Sequence, residues 1–170
     1  MNINKVYYLL LIFVFAFQTT FSQNKYEVTK TDKEWRSQLN ELSYLVLRKA
    51  YTERPYTGKY DDFYEKGTYH CAGCDEPLYK SDHKYNSYCG WPSFDREISD
   101  KLEYDVDYKL GYPRTEIKCK KCGGHLGHVF NDGPKETTGI RHCVNSVAVS
   151  YTHLRAHETE ADLVCRLLLE

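Results

Sequence analysis

The chain has no surplus of charge. Its 23 Lys and Arg face 24 Asp and Glu, a formal net charge of −1 over 170 residues, so it lacks the basic excess of a nucleic-acid-binding surface. It has no apolar run long enough for a membrane span, which takes about 20 residues. The longest run, Val6 to Phe17, follows Lys5 and leads into Thr20 and Ser22. That is the layout of an export signal over residues 1–22, with an uncleaved anchor as the alternative. No cysteine follows the run, which speaks against a lipid anchor on a new N-terminal Cys. Neither C-x-x-C pair continues into histidine, which speaks against covalent haem attachment. No βαβ pattern surrounds them, as a thioredoxin-like redox pair would need. The expectation is one exported domain, periplasmic or secreted, starting near Gln23, where disulfides can persist.

What is present is aromatic and turn-rich. There are 16 tyrosines, and glycine, tyrosine and short polar clusters fill the middle of the chain. This predicts strands and turns more than long helices. Helix is expected between Thr29 and Tyr51. Thr31 or Asp32 would cap it, Asn40 would interrupt it, and Arg48 and Lys49 suit its C-terminus. The loop Thr52 to Gly58 follows, read from its Pro and Gly.

Two knuckles, Cys71-x-x-Cys74 and Cys119-x-x-Cys122, carry the metal-site spacing. Two sulfurs from each turn can complete a tetrahedral site for a structural Zn2+. A pair of disulfides is the alternative, as is a redox pair. Between the knuckles lies Cys89-Gly-Trp91-Pro-Ser-Phe94, a shaped loop that carries two large apolar rings. After them comes His125-Leu-Gly-His128-Val-Phe130, with Asp132 before a Gly-Pro turn. With four thiols filling one metal site, acid or hydrogen-bonding roles suit the histidines better than ligation. Ile140 to Val149 reads as a strand. Cys143 and Asn145, two apart, would share one face of it. Arg141 and His142 flank Cys143, and nearby positive charge lowers a thiol's pKa toward the nucleophilic thiolate.

These five motifs, in this order and over about Glu34 to Ala148, resemble the B-type methionine sulfoxide reductases. The resemblance implies a mainly β fold, a β-tent of two antiparallel sheets with N-terminal helices, stapled by zinc on Cys71, Cys74, Cys119 and Cys122. It implies reduction of the R epimer of methionine sulfoxide, in oxidised proteins or free. By position, Cys143 matches the catalytic cysteine and Cys89 the resolving one. Trp91 matches the residue that packs on the substrate methyl, with Phe94 and Phe130 on the same apolar side. His125, His128, Asp132, Arg141 and Asn145 match the polar pocket. A thioredoxin-like donor would recycle a monomeric enzyme. Tyr88 departs from the family, where glycine is common before the resolving cysteine, and so bears on the recycling step. A non-catalytic zinc-stapled β-tent that binds a protein partner is the rival reading; it would need neither Cys143, Cys89 nor the histidine pair.

The tail is different in kind. Val149 to Glu170 resembles a transposase-type sequencing adapter translated in frame, although Leu163, Leu167 and Leu168 also have helical spacing. Setting it aside removes Cys165 from an odd total of seven cysteines, leaving four for metal, one nucleophile and one resolver. The expectation is that Val149–Glu170 packs poorly.

Overall fold

The computed structural model describes residues 25–153. The signal-like segment and residues 154–170 lie outside the described residues. Two short helices open the domain, α1 (Asp32–Gln38) and α2 (Glu41–Lys49). Thr31, not Asp32, is the N-cap of α1. Its hydroxyl accepts from the Glu34 N–H at 3.3 Å, and the Glu34 carboxylate accepts from the Thr31 N–H at 2.7 Å. This capping box satisfies two orphan donors at once. Asn40 ends the first helix and starts the second, its side chain accepting from the Ser43 N–H at 2.8 Å. The helices bury Trp35, Tyr44, Val46 and Leu47.

The rest is antiparallel sheet. A three-stranded sheet runs in the order β2 (Pro77–Lys80), β1 (Gly67–Cys71), β9 (Val149–His153). The larger sheet has six strands in the order β3 (Lys84–Tyr85), β4 (Ser93–Phe94), β8 (Arg141–Val144), β7 (His125–Phe130), β6 (Arg114–Cys119), β5 (Leu102–Asp107). The mainly β fold of two antiparallel sheets with leading helices is therefore present. Its core joins the sheets through rings: Tyr79 stacks on Phe94 at 4.2 Å between centroids, and Tyr69 meets Phe94 edge-on at 5.0 Å. Such pairs add about 1 kcal/mol beyond their area burial.

Two expectations need correction. The strand foreseen from Ile140 to Val149 is broken. β8 stops at Val144, Asn145 begins a 3-10 turn over Ser146–Ala148, and the chain then crosses into the other sheet as β9. The cause is Glu53, whose buried carboxylate takes the N–H groups of Ser146 and Val147 and so withdraws them from any strand ladder. Over residues 149–153, the part of that tail among the described residues, poor packing is also not what the structure has. β9 pairs with β1 from Cys71↔Val149 to Gly67↔His153. Val149 is buried, and the Tyr151 ring stands 4.7 Å from that of Phe63. Whatever the origin of these residues, they alternate and carry β-branched and aromatic side chains, which suits a strand against an aromatic core.

Candidate active site

Cys143 sits mid-sheet. It is opposite Ser93 on β4 and His128 on β7. The strands β7 and β8 approach so closely that a Cβ at Gly127 would stand 1.9 Å from the Cys143 carbonyl oxygen, so only glycine fits there. Strand alternation sends His142 to the other face. There its Nδ1 meets the Tyr79 hydroxyl at 3.2 Å, and burial pushes its pKa down to about 4. His142 is thus neutral near pH 7 and does not act as the second cation beside Cys143. Arg141 does share the face of Cys143. Its guanidinium lies 4.4 Å from the Phe130 ring centre and is held at two of its three nitrogens by the Asp132 carboxylate, at 2.8 and 2.9 Å. Its charge favours a Cys143 thiolate, but the hydrogen-bonded Cys89 sulfur, first, and then burial push the Cys143 thiol up on balance.

Cys89 comes from the loop before β4. Tyr88 enters the left-handed region at φ 57°, held by an N–H bond to the Asn86 side chain at 2.9 Å. Gly90 follows at φ 87°, where a Cβ would lie 2.7 Å from that of Pro55. This turn brings the Cys89 sulfur to 3.7 Å from that of Cys143. A disulfide needs about 2.05 Å, so a modest approach of two side chains closes the bond. The Ser87 hydroxyl donates to Cys89 at 2.9 Å. The Cys143 thiol, first, and then Ser87 and Ser93 hold the Cys89 pKa down, to about 4. The two sulfurs therefore lose one proton readily and resist losing the second.

A cavity of about 100 Å³ opens over Cys143, lined by Thr52, Trp91, Arg114, His128, Phe130 and Asn145 with Gly127 and Val144. Trp91 is moored by its Nε1 donating to the Glu53 carbonyl at 3.2 Å. The Asn145 amide is held at both ends: its oxygen accepts from the Glu53 N–H at 3.0 Å and one N–H donates to the Leu126 carbonyl at 2.9 Å, leaving a second N–H. It therefore shapes the cavity wall. His128 Nε2 lies 2.8 Å from the Asp107 carboxylate. Asp107 is held well below the usual carboxylate range, first by the Lys109 N–H and then by His128 and Arg114. A carboxylate can only accept, so Nε2 carries the proton and Nδ1 of the neutral ring is the free acceptor. Burial lowers the His128 pKa, which keeps the ring neutral.

Three residues foreseen for the site do not line this cavity. Phe94 is fully buried in the core against Tyr79 and does not line the cavity. Asp132 is largely exposed and occupied by Arg141. His125 donates Nδ1–H to Glu116 at 2.6 Å and packs edge-on against His128 at 5.3 Å. It lines instead a larger hollow of about 600 Å³ bordered by Arg48, Lys49, Lys109 and Lys118. That hollow holds no sulfur, so chemistry and not size marks the smaller cavity as the site. Sequence reasoning missed Glu53, Arg114 and Asp107. Glu53 sat unremarked in a loop defined by its Pro and Gly, and Arg114 and Asp107 belong to no motif of cysteine or histidine.

Away from the cavity, the knuckles converge as spaced. The sulfurs of Cys71, Cys74, Cys119 and Cys122 all lie within 4.8 Å of one another, with Cys71–Cys122 at 3.6 Å and Cys74–Cys119 at 3.5 Å. Four thiolates about 2.3 Å from a central Zn2+ stand about 3.8 Å apart, so the donor set fits one tetrahedral ion. The backbone turns serve the same end: the N–H groups of Asp75 and Gly123 bond back to the carbonyls of Cys71 and Cys119, both at 2.8 Å.

Comparison with known proteins gives a consistent picture. A family model described as the SelR domain matches residues 39–153, which takes in β9. A "Peptide methionine sulfoxide reductase MsrB" of Chromohalobacter salexigens is 47% identical over 126 residues, covering 74% of this chain and 95% of that protein. One of the same name from Hahella chejuensis is 48% identical over 137 residues, covering 80% and 94%. A third, from Burkholderia thailandensis, is 44% identical over 128 residues, covering 75% and 90%.

Proposed function

Since this chain belongs to the SelR-domain family of peptide methionine sulfoxide reductases, we propose that it reduces the R epimer of methionine sulfoxide by a Cys143 sulfenic acid, resolved as a Cys89–Cys143 disulfide. The observation that carries this is the 3.7 Å approach of the two sulfurs at the edge of a cavity floored by Cys143.

The substrate methyl and its thioether arm would lie against Trp91 and Phe130. Cys143, as thiolate, attacks the sulfoxide sulfur. In net terms the oxygen passes from substrate sulfur to Cys143 sulfur, the substrate gains two electrons, and methionine leaves. The thiol's proton ends on the transferred oxygen. Neutral His128, with Nδ1 as acceptor, suits taking the thiol's proton as the thiolate forms and returning it, through a bridging water, to the transferred oxygen. The sulfenic acid then condenses with Cys89 and releases water. A thioredoxin-like dithiol resets the pair by exchange, giving up two electrons and two protons. Zinc on the four knuckle cysteines would tie the β1–β2 turn to the β6–β7 turn and take no part in these steps. Elemental analysis should find one ion per chain. Residues 1–22 would export the enzyme as a monomer to an oxidising compartment, and residues 149–170 retain their likeness to adapter sequence.

The test is separate assay of R and S methionine sulfoxide, free and in an oxidised protein, beside Cys143→Ser. Turnover of R alone, lost in the variant, supports the reading. A folded, metal-loaded protein that turns over neither epimer sinks it and favours the binding-module alternative.

A further inference from the structure

We infer that Arg114, rather than Arg141, is the cationic group that stabilises the sulfoxide oxygen during the reductase step. This rests on the function proposed above. Arg114 opens β6, and its side chain reaches the cavity over Cys143 beside His128. Alternation puts Arg114 and Glu116 on one face of the sheet, and register carries that face on to His128 opposite Glu116 and Cys143 opposite His128.

Among the described residues Arg114 is the one cation lining this cavity. His128 is kept neutral by burial, Arg141 is engaged by Asp132 and covers Phe130, and the Asn145 amide is uncharged and holds the Glu53 and Leu126 backbone. Arg114 is fixed in place by an ion pair with the half-buried Asp107 carboxylate through one guanidinium nitrogen, while its Nε, itself buried, has no protein partner. A guanidinium carries five N–H donors and a charge it does not lose at working pH. Donors therefore remain for an oxygen.

The chemistry asks for such a group. A sulfoxide oxygen already bears partial negative charge, and more collects there as the Cys143 thiolate adds to sulfur and the S–O bond weakens. A fixed cation in a small cavity meets that charge without reorganising. The two arginines then divide the work: Arg141 acts on the attacking sulfur, and Arg114 on the departing oxygen.

The experiment compares two reactions of the same thiol in the metal-loaded, full-length protein. One is single-turnover reduction of free R methionine sulfoxide. The other is alkylation of Cys143 by iodoacetamide, which involves no oxygen; both are run in a Cys89→Ser background, because Cys89 is the more acidic thiol of the pair and would otherwise take the reagent. Arg114→Ala should slow reduction by about 100-fold, as loss of one oxyanion donor does, and leave the alkylation rate unchanged. Arg114→Lys should recover part of the loss, and added methylguanidine should partly rescue Arg114→Ala. If reduction stays within about threefold of wild type, or if both reactions fall together, the assignment is overturned. Should Arg114→Ala not fold, Arg114→Lys decides by the same ratio of rates. Wild-type protein inactive on both epimers would instead sink the reductase reading itself.

Discussion

The Trp91 indole N–H donates to the Glu53 carbonyl at 3.2 Å, so the ring that would hold the substrate methyl is moored to a loop residue 38 positions earlier. Glu53 ties three parts of the site at once. Its N–H holds Asn145, its C=O holds Trp91, and its carboxylate holds the turn after Val144. Glu53→Ala leaves two buried N–H groups without an acceptor, which should cost about 2–4 kcal/mol of stability. Glu53→Gln keeps one acceptor oxygen and should cost about half as much. Urea unfolding of both variants checks this, and equal stabilities would rule the role out.

The thiol pair makes a second prediction. Because the Cys143 thiol is the largest cause of the low Cys89 pKa, Cys143→Ala should raise it. In the reduced wild-type protein, Cys89 should still alkylate below pH 7, where an ordinary thiol with a pKa near 8.5 is mostly protonated. In Cys143→Ala the reactivity should move to higher pH. Mass spectrometry of iodoacetamide adducts across pH gives both curves.

His142 should set part of the acid limb of stability. Its folded pKa of about 4 lies below the unfolded value near 6.5, so protons bind the unfolded chain more tightly. The contribution is complete above pH 6.5 and lost as pH falls toward 4. Two and a half units correspond to about 3 kcal/mol. Denaturant midpoints measured through that window in wild type and His142→Phe should differ in slope, with the variant flatter.

Tyr88 should be dispensable for folding. It is 81% exposed and in left-handed backbone at φ 57°, a region that disfavours bulky side chains and suits glycine. Tyr88→Gly should be neutral or more stable, by up to about 1 kcal/mol. The left-handed Tyr56 differs, since its hydroxyl bonds the Tyr88 carbonyl at 2.8 Å and its N–H the Gly90 carbonyl at 2.7 Å. Tyr56→Gly should destabilise. A gain in both variants, read by thermal melting, would contradict the distinction.

Much of this was legible in the sequence. The C-x-x-C spacings announce the sulfur cluster because a knuckle is a local device. Thr31-x-x-Glu34 announces a helix start for the same reason. Cys143 and its flanking arginine stand in one strand, and alternation alone gives their common face. The same rule shows why His142 was overrated: an immediate neighbour of Cys143 on a strand points away from it. What was not legible depends on contacts across long stretches of chain. Glu53 breaks the strand after Val144 from 93 residues away. Phe94 looked like a binding ring because it sits in a loop-like motif, yet the Tyr79 ring claims it for the core. Asp107 and Arg114 carry no motif at all, and only the β5–β6 register brings them together.

The floor of the cavity beneath Cys143 is main chain, because Gly127 leaves no room for even a methyl group. Substrate preference therefore cannot be retuned from below without displacing the nucleophile itself. Evolution, or an engineer, has only the walls to work with, Thr52, Trp91 and Phe130. A narrow choice of adjustable positions would make divergence in this lineage a matter of rims and entrances around an unchanging base.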